Sequence, residues 1–133
     1  MRTQVSISQL YKAFTPENNR ELDTVYEIEE ADIKIKSVNG SYVPIKGVIK
    51  KYDQVNNYTF DLNEKLIQLK CSKNHLILSH NQIKKISEIS SIDTETGSAE
   101  LIKVEDQGQD YVYDVALDYP HLYTTPNSII HHN

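Results

Sequence analysis

A chain of 133 residues with a formal net charge of −5 is long enough to bury one core without covalent staples, and it reads as a single domain. Its only cysteine, Cys71, has no partner for an internal disulfide, so a reducing, cytoplasmic setting is the default expectation. The acidic balance argues against a nucleic-acid surface, no apolar run has the length of a membrane span, and the start Met1-Arg2-Thr3-Gln4 carries no targeting core.

In chain order, residues 6–14 predict a helix: Ile7, Leu10, Tyr11 and Phe14 fall at i, i+3, i+4 and i+7. Ser6 and Gln9 form a capping-box pair, and Pro16 closes the run. Residues 15–31 are polar and acidic, either a loop or an added surface element. From Ile33 the period becomes two, with Ile33 and Ile35 alternating with Lys34 and Lys36. Asn39-Gly40 predicts a tight hairpin, Tyr42, Val43 and Ile45 continue beyond it, and Pro44 points to an edge position. Further strands are expected at 48–52, 58–62 and 66–71, punctuated by Asn56-Asn57 and Asn63-Glu64; Tyr58, Phe60 and Leu62 share one face. Residues 82–89 suggest a short helix, with Ile83, Ile86 and Ile89 together. Residues 93–100 read as a polar loop around Gly97. Two strands, 101–104 and 111–117, are split by the polar stretch 106–110, and Ile129-Ile130 forms a last short strand. Many short strands with little helix indicate a mainly all-β fold without internal repeats.

Chemistry concentrates in three places. Ser72 and His75 stand three apart across an expected strand-turn, where a hydroxyl and an imidazole can share one pocket; the alternative is a locally satisfied histidine with Ser72 capping a turn. Asp114 lies in the middle of the strand 111–117, where a carboxylate is expensive to bury unless paired, and His121 follows beyond the turn Asp118-Tyr119-Pro120. The chain ends Ile129-Ile130-His131-His132-Asn133. An Asn side-chain amide can attack its own main-chain carbonyl, closing a succinimide and breaking the next peptide bond, with His132 as the adjacent proton donor or acceptor. Taken alone, His131 and His132 could equally be a tag remnant. Cys71 and His75 lack the second cysteine expected of a structural zinc site, and no metal or cofactor is expected.

The ordered blocks together resemble the intein family of self-splicing domains. Residues 69–76, with Ser72 and His75, resemble the family's second block; residues 112–123, with Asp114 and His121, its penultimate block; residues 127–133 its terminal block; residues 33–49 its early strands. The resemblance implies the flat, pseudo-two-fold β-horseshoe shared with hedgehog-type domains (the Hint fold), with one or two short helices and no endonuclease insert. It also implies roles. Ser72 and His75 act at an upstream scissile amide, and Asp114 in acyl transfer to the residue after Asn133. Asn133 cyclises, His132 protonates, and His121 activates the Asn amide.

Ser72 stands where Thr is commoner, Ser128 where Gly or Asp is, and the stretch from His121 to Asn133 is one residue longer than usual. The family opens with a Cys or Ser nucleophile and a strand, whereas Met1 comes almost directly before the helix. That mismatch implies the C-terminal fragment of an atypically split intein. Its partners would be a short N-terminal fragment carrying the nucleophile and the flanking exteins. A hedgehog-type autoprocessing domain, which cleaves without ligating, and a non-catalytic β-rich binding module are the alternatives. They are distinguished by whether Ser72, His75, Asp114, His121 and Asn133 converge in one cleft.

Overall fold

The computed structural model describes residues 6–15, 20–28, 33–118 and 120–133. Met1, Pro16, Glu29-Glu30 and Tyr119 lie outside them. Helix α1 (Ile7–Phe14) begins as its sequence predicts. The Gln9 N–H donates to Ser6 Oγ at 3.1 Å, and the Ser6 N–H to Gln9 Oε1 at 2.8 Å. Tyr11 is buried on its apolar face, with the Tyr26 ring edge-on at 5.9 Å. Tyr26 belongs to β1 (Tyr26–Glu27), a two-residue strand inside the acidic stretch. No helix among the described residues is long and apolar enough to cross a membrane.

Strands β2 (Lys34–Lys36) and β3 (Tyr42–Pro44) pair antiparallel as expected, but not through a two-residue Asn-Gly turn. A 3-10 turn, Val38–Gly40, joins them, with Gly40 at φ +74. The cause is Ser37, which is buried and donates its hydroxyl to the Leu122 carbonyl at 2.8 Å; anchoring it there widens the connection to residues 37–41.

Two long strands dominate the molecule. The expected strands 48–52 and 58–62 are one strand, β4 (Gly47–Leu62), and 101–104 and 111–117 belong to one strand, β9 (Gly97–Ala116). They pair antiparallel from Gly47↔Ala116 to Asp61↔Glu100. The turn-forming Asn56-Asn57 and residues 106–110 do not interrupt them. Strand-propensity differences span only about 1 kcal/mol, whereas burying Tyr58 or Phe60 alone is worth roughly 1.5–3 kcal/mol. The polar stretch instead becomes a β-bulge between the pairs Gln54↔Gln109 and Asn56↔Asp106, with Gly108 at φ +75.

Strand β5 (Lys65–Ser72) returns beside β4 through Asn63 and Glu64, both left-handed at φ +50 and +70, the hairpin geometry expected there. Strands β6 (Leu76–Ser79) and β7 (Gln82–Lys85) form a second hairpin. The expected helix at 82–89 is therefore β7 followed by a 3-10 turn, Ile86–Glu88; Ile86 and Ile89 are buried while Ile83 is exposed, so the three isoleucines do not share a face. The expected loop 93–100 is likewise a hairpin, between β8 (Ser91–Thr94) and the start of β9. Strands β10 (Leu122–Thr124) and β11 (Ile130–His132) join β6 and β7 in the order β10-β11-β6-β7.

Two cores result. One holds Tyr58, Phe60, Leu62, Ile67, Ile77, Ile86, Ile92, Ala99 and Ile129. The other holds Tyr11, Ile28, Ile45, Val48, Val115, Leu117 and Tyr123. β4 and β9 each contribute to both, so the molecule is a β-horseshoe with one short α-helix. The β4–β5 turn yields a prediction. Glu64 pays for its left-handed backbone, and Glu64→Gly restores the preferred Asn-Gly pair while keeping the Glu64 N–H bond to Asp61 Oδ1 at 2.8 Å. Denaturant unfolding should show a gain of about 1 kcal/mol; a loss would contradict the turn geometry.

Candidate functional site

The seam between the two cores holds a cavity of about 570 Å³ lined by Ser72, His75, Asp114, Tyr123, His131, His132 and Asn133. Ser72 ends β5, and the turn after it is closed by the His75 N–H bonding the Ser72 carbonyl at 3.0 Å. The Ser72 hydroxyl accepts the Asn74 N–H at 3.1 Å and donates its one proton to Asp53 Oδ2 on β4. That bond, with the Gln54 N–H and the Asn74 side chain, holds the Asp53 carboxyl below its ordinary range. Ser72 therefore does cap the turn, and the turn presents His75.

The terminal strand divides its two histidines. Successive side chains on a strand point to opposite faces, so His131 and His132 go different ways. His131 is buried, stacks on Tyr123 at 4.9 Å and 13°, and lies with Nδ1 2.8 Å from His75 Nε2. Its Nε2 lies 3.0 Å from Thr125 Oγ1. His132 turns toward His121, ring centroids 5.8 Å apart, and the Asn133 N–H donates to the His121 carbonyl at 2.9 Å. His121 sits at φ +63, closing the turn from Asp118. Ser128 is also left-handed, at φ +70, which accounts for the small residue there.

Of the sequence-predicted residues, Ser72, His75, Asp114, His132 and Asn133 line the cavity; His121 reaches it through His132. Sequence reasoning left His131, Tyr123 and Asp53 without roles. Strand alternation across His131-His132 was the signal for the first. The other two depend on pairings between distant strands.

Burial shifts the titration of the site's groups toward their neutral forms. Burial, and then the neighbouring His75, lowers His131 to about 3. Burial lowers His75 too, against the pull of Asp114. Burial raises Asp114, opposed by His75, by the Val115 N–H at 2.8 Å and by the Tyr123 hydroxyl at 3.2 Å. His132 is lowered by burial and by His121. Burial pushes the Cys71 thiol up to about 12, so it is no ready nucleophile. His132 Nδ1 and Asn133 Oδ1 are buried with no hydrogen-bond partner among the described residues. Among those residues no three His, Cys, Asp or Glu side chains are grouped as a metal site.

No protein-family model and no curated protein matches this chain. Solved structures do. An intein from a hyperthermophile aligns with a TM-score of 0.71 and 20% identity, over 97% of this chain and 88% of its own. A DnaB intein from Synechocystis aligns at 0.69 and 20%, over 98% and 86%. A consensus engineered intein with an atypical split site aligns at 0.59 and 23%, over 80% and 86%. At these identities the likeness establishes the fold: the chain has the all-β intein fold.

The buried histidines generate a pH signature. Folded His131 stays neutral down to about 3, whereas the unfolded imidazole takes a proton near 6.5. Between those values the unfolded state binds more protons, so stability falls as pH is lowered through the window. His131→Phe should remove that share: compared with the parent, the variant should gain stability between about pH 7 and about pH 4.5. Denaturant unfolding at both pH values measures it, and a constant difference would mean that His131 is not buried neutral.

Proposed function

We propose that this chain is an intein that splices in trans, associating with a short N-terminal fragment and joining the exteins that flank the pair. The observation that carries this reading is the gathering of His75, Asp114, His132 and Asn133 around one cavity in a domain of intein fold. The trans arrangement draws support from the likeness to a consensus engineered intein with an atypical split site. Cys71 is held as a buried thiol and the Ser72 proton is committed to Asp53, so neither of these two lining residues is an activated nucleophile. A Cys or Ser at the head of the N-fragment supplies it.

In the first step the nucleophile's sulfur or oxygen bonds to the upstream carbonyl carbon, the C–N bond breaks, and the amine leaves with a proton. His75, neutral near pH 7 and beside Asp114, is suited to take that proton from the nucleophile and return it to the amine. Ser72 acts here by holding the turn that carries His75, through Asp53 and Asn74, rather than by donating to the scissile carbonyl. The side-chain sulfur or oxygen of the residue after Asn133 then gives up its proton and bonds to the acyl carbon, while the bond to the first nucleophile breaks and that nucleophile takes a proton. Asp114, raised by burial, assists there as a proton carrier. Finally the Asn133 amide nitrogen attacks its own carbonyl carbon, the next C–N bond breaks, and the leaving amine takes a proton from the His132 side of the site. His121, packed against His132, serves as base toward the Asn amide. The unpartnered His132 Nδ1 and Asn133 Oδ1 fit groups reserved for a reaction, since unpaired buried polar atoms are otherwise costly. Every step exchanges one acyl bond for another, and proximity supplies much of the rate, with effective molarities on the order of 10⁵–10⁸ M for well-aligned groups.

The test extends the chain by a short segment after Asn133 and adds an N-fragment whose Cys nucleophile is preceded by a short extein peptide. Asn133→Ala should abolish release of the segment, and His132→Ala should slow it by roughly 10²–10⁴-fold. His75→Ala should block the upstream step while leaving release partly active. Release from Asn133→Ala at the parent rate would overturn the proposal.

A further inference from the structure

His131 is a buried, ionisable side chain that the steps above do not use. Its bonds form a chain whose direction is set from one end. The Gln68 carbonyl can only accept, so the Asn127 atom 3.0 Å from it is Nδ2, and Oδ1 faces Thr125. The Thr125 hydroxyl donates its one proton to that Oδ1 at 2.5 Å, and can therefore only accept from His131 Nε2 at 3.0 Å. His131 then carries its proton on Nε2 and presents a lone pair at Nδ1. The remaining bond, 2.8 Å long, must run from His75 Nε2–H to His131 Nδ1. Stacking on Tyr123 at 4.9 Å keeps the His131 ring in that plane.

We propose that His131 is a positioning residue, which holds His75 in the tautomer with its proton on Nε2 and its lone pair on Nδ1. The proposal deepens the reading of His75 as the acid–base group of the upstream step. With Nε2 committed, Nδ1 is the nitrogen that takes the nucleophile's proton and passes it to the leaving amine. The Nε2–H bond survives in the imidazolium, so the proton can come and go without breaking the chain. The wrong tautomer of an otherwise intact catalytic histidine is costly to rate.

The titratable groups that line the cavity with His75 include Lys51 and Asp53 of β4, Lys70 and Cys71 of β5, Asp110, Tyr111, Tyr113 and Asp114 of β9, Tyr123 of β10, and His131 and His132 of β11. His131→Phe keeps all the others and retains a ring against Tyr123, but removes the acceptor. His131→Asn returns an acceptor oxygen where Nδ1 stood. Imidazole ¹⁵N spectra of the chain alone read the tautomer directly. The parent should show His75 protonated on Nε2 with a pyridine-type Nδ1. His131→Phe should give a tautomer mixture and a shifted His75 titration, and His131→Asn should restore the parent pattern. With an N-fragment whose Cys nucleophile follows a short extein, His131→Phe should slow the upstream step roughly tenfold or more, within the range by which orienting partners act. His75 protonated on Nδ1 in the parent, or an unchanged tautomer in His131→Phe, would overturn the assignment, even if that variant splices poorly. A correct tautomer in a parent that does not splice would uphold it and instead sink the proposed function.

Discussion

Everything at the site depends on the antiparallel ladder between β4 and β9. Each strand begins in one core and ends in the other: β4 contributes Val48 to one and Tyr58, Phe60 and Leu62 to the other, and β9 contributes Val115 to one and Ala99 to the other. Neither core could therefore form with the ladder slipped, because a shift of one residue would turn each strand's apolar set outward. The ladder also fixes the seam. Asp53 on β4 and Asp114 on β9 stand between the cores, as do the end of β5 and the terminal strand, whose neighbours Tyr123 and Ile129 belong to different cores. The cavity lies where two packed halves meet and side chains from five strands or their ends can converge.

That location explains the chemistry of the seam. Desolvation there costs charged groups more than neutral ones, so histidines are held neutral and the Asp114 carboxyl is pushed upward. Each is compensated by a specific bond: His75 by His131, Asp114 by Tyr123 and the Val115 N–H, His131 by Thr125. Buried acid–base groups shifted from their ordinary values and gathered in one cleft are the arrangement proton transfer calls for. Asp53, by contrast, is kept ionised by donated hydrogen bonds and acts as an anchor for the turn at Ser72.

How much of this was legible in the sequence follows from range. Helix α1 was readable because its cap, stripe and stop are all local. The turn at Asn63-Glu64 was readable for the same reason. The breaks expected at Asn56-Asn57 and 106–110 were wrong because local turn preference, worth about 1 kcal/mol, yields to a ladder whose partner lies some fifty residues away. The isoleucine spacing at 83, 86 and 89 matched a helix by coincidence, since Ile86 and Ile89 are placed by packing under β6 and β8 rather than by periodicity. At the site, the resemblance singled out Ser72, His75, Asp114, His121, His132 and Asn133, and all but His121 line one cavity. The resemblance had no role for His131, whose partner His75 is 56 residues distant, nor for the Ser72 proton, which goes to a strand the motif does not include.

The central claim is that Asn133 breaks the bond after it by cyclisation. The direct measurement is intact mass and terminal chemistry of the chain released from a downstream extension, with an N-fragment present whose Cys nucleophile follows a short extein. The account predicts a released chain lighter by one water than the same chain ending in an Asn133 carboxylate, and a ligated extein product in which the downstream α-amine freed by cyclisation has displaced the side-chain ester to form a peptide bond. An Asn133 carboxylate formed at once, or cleavage at any other bond, would contradict it.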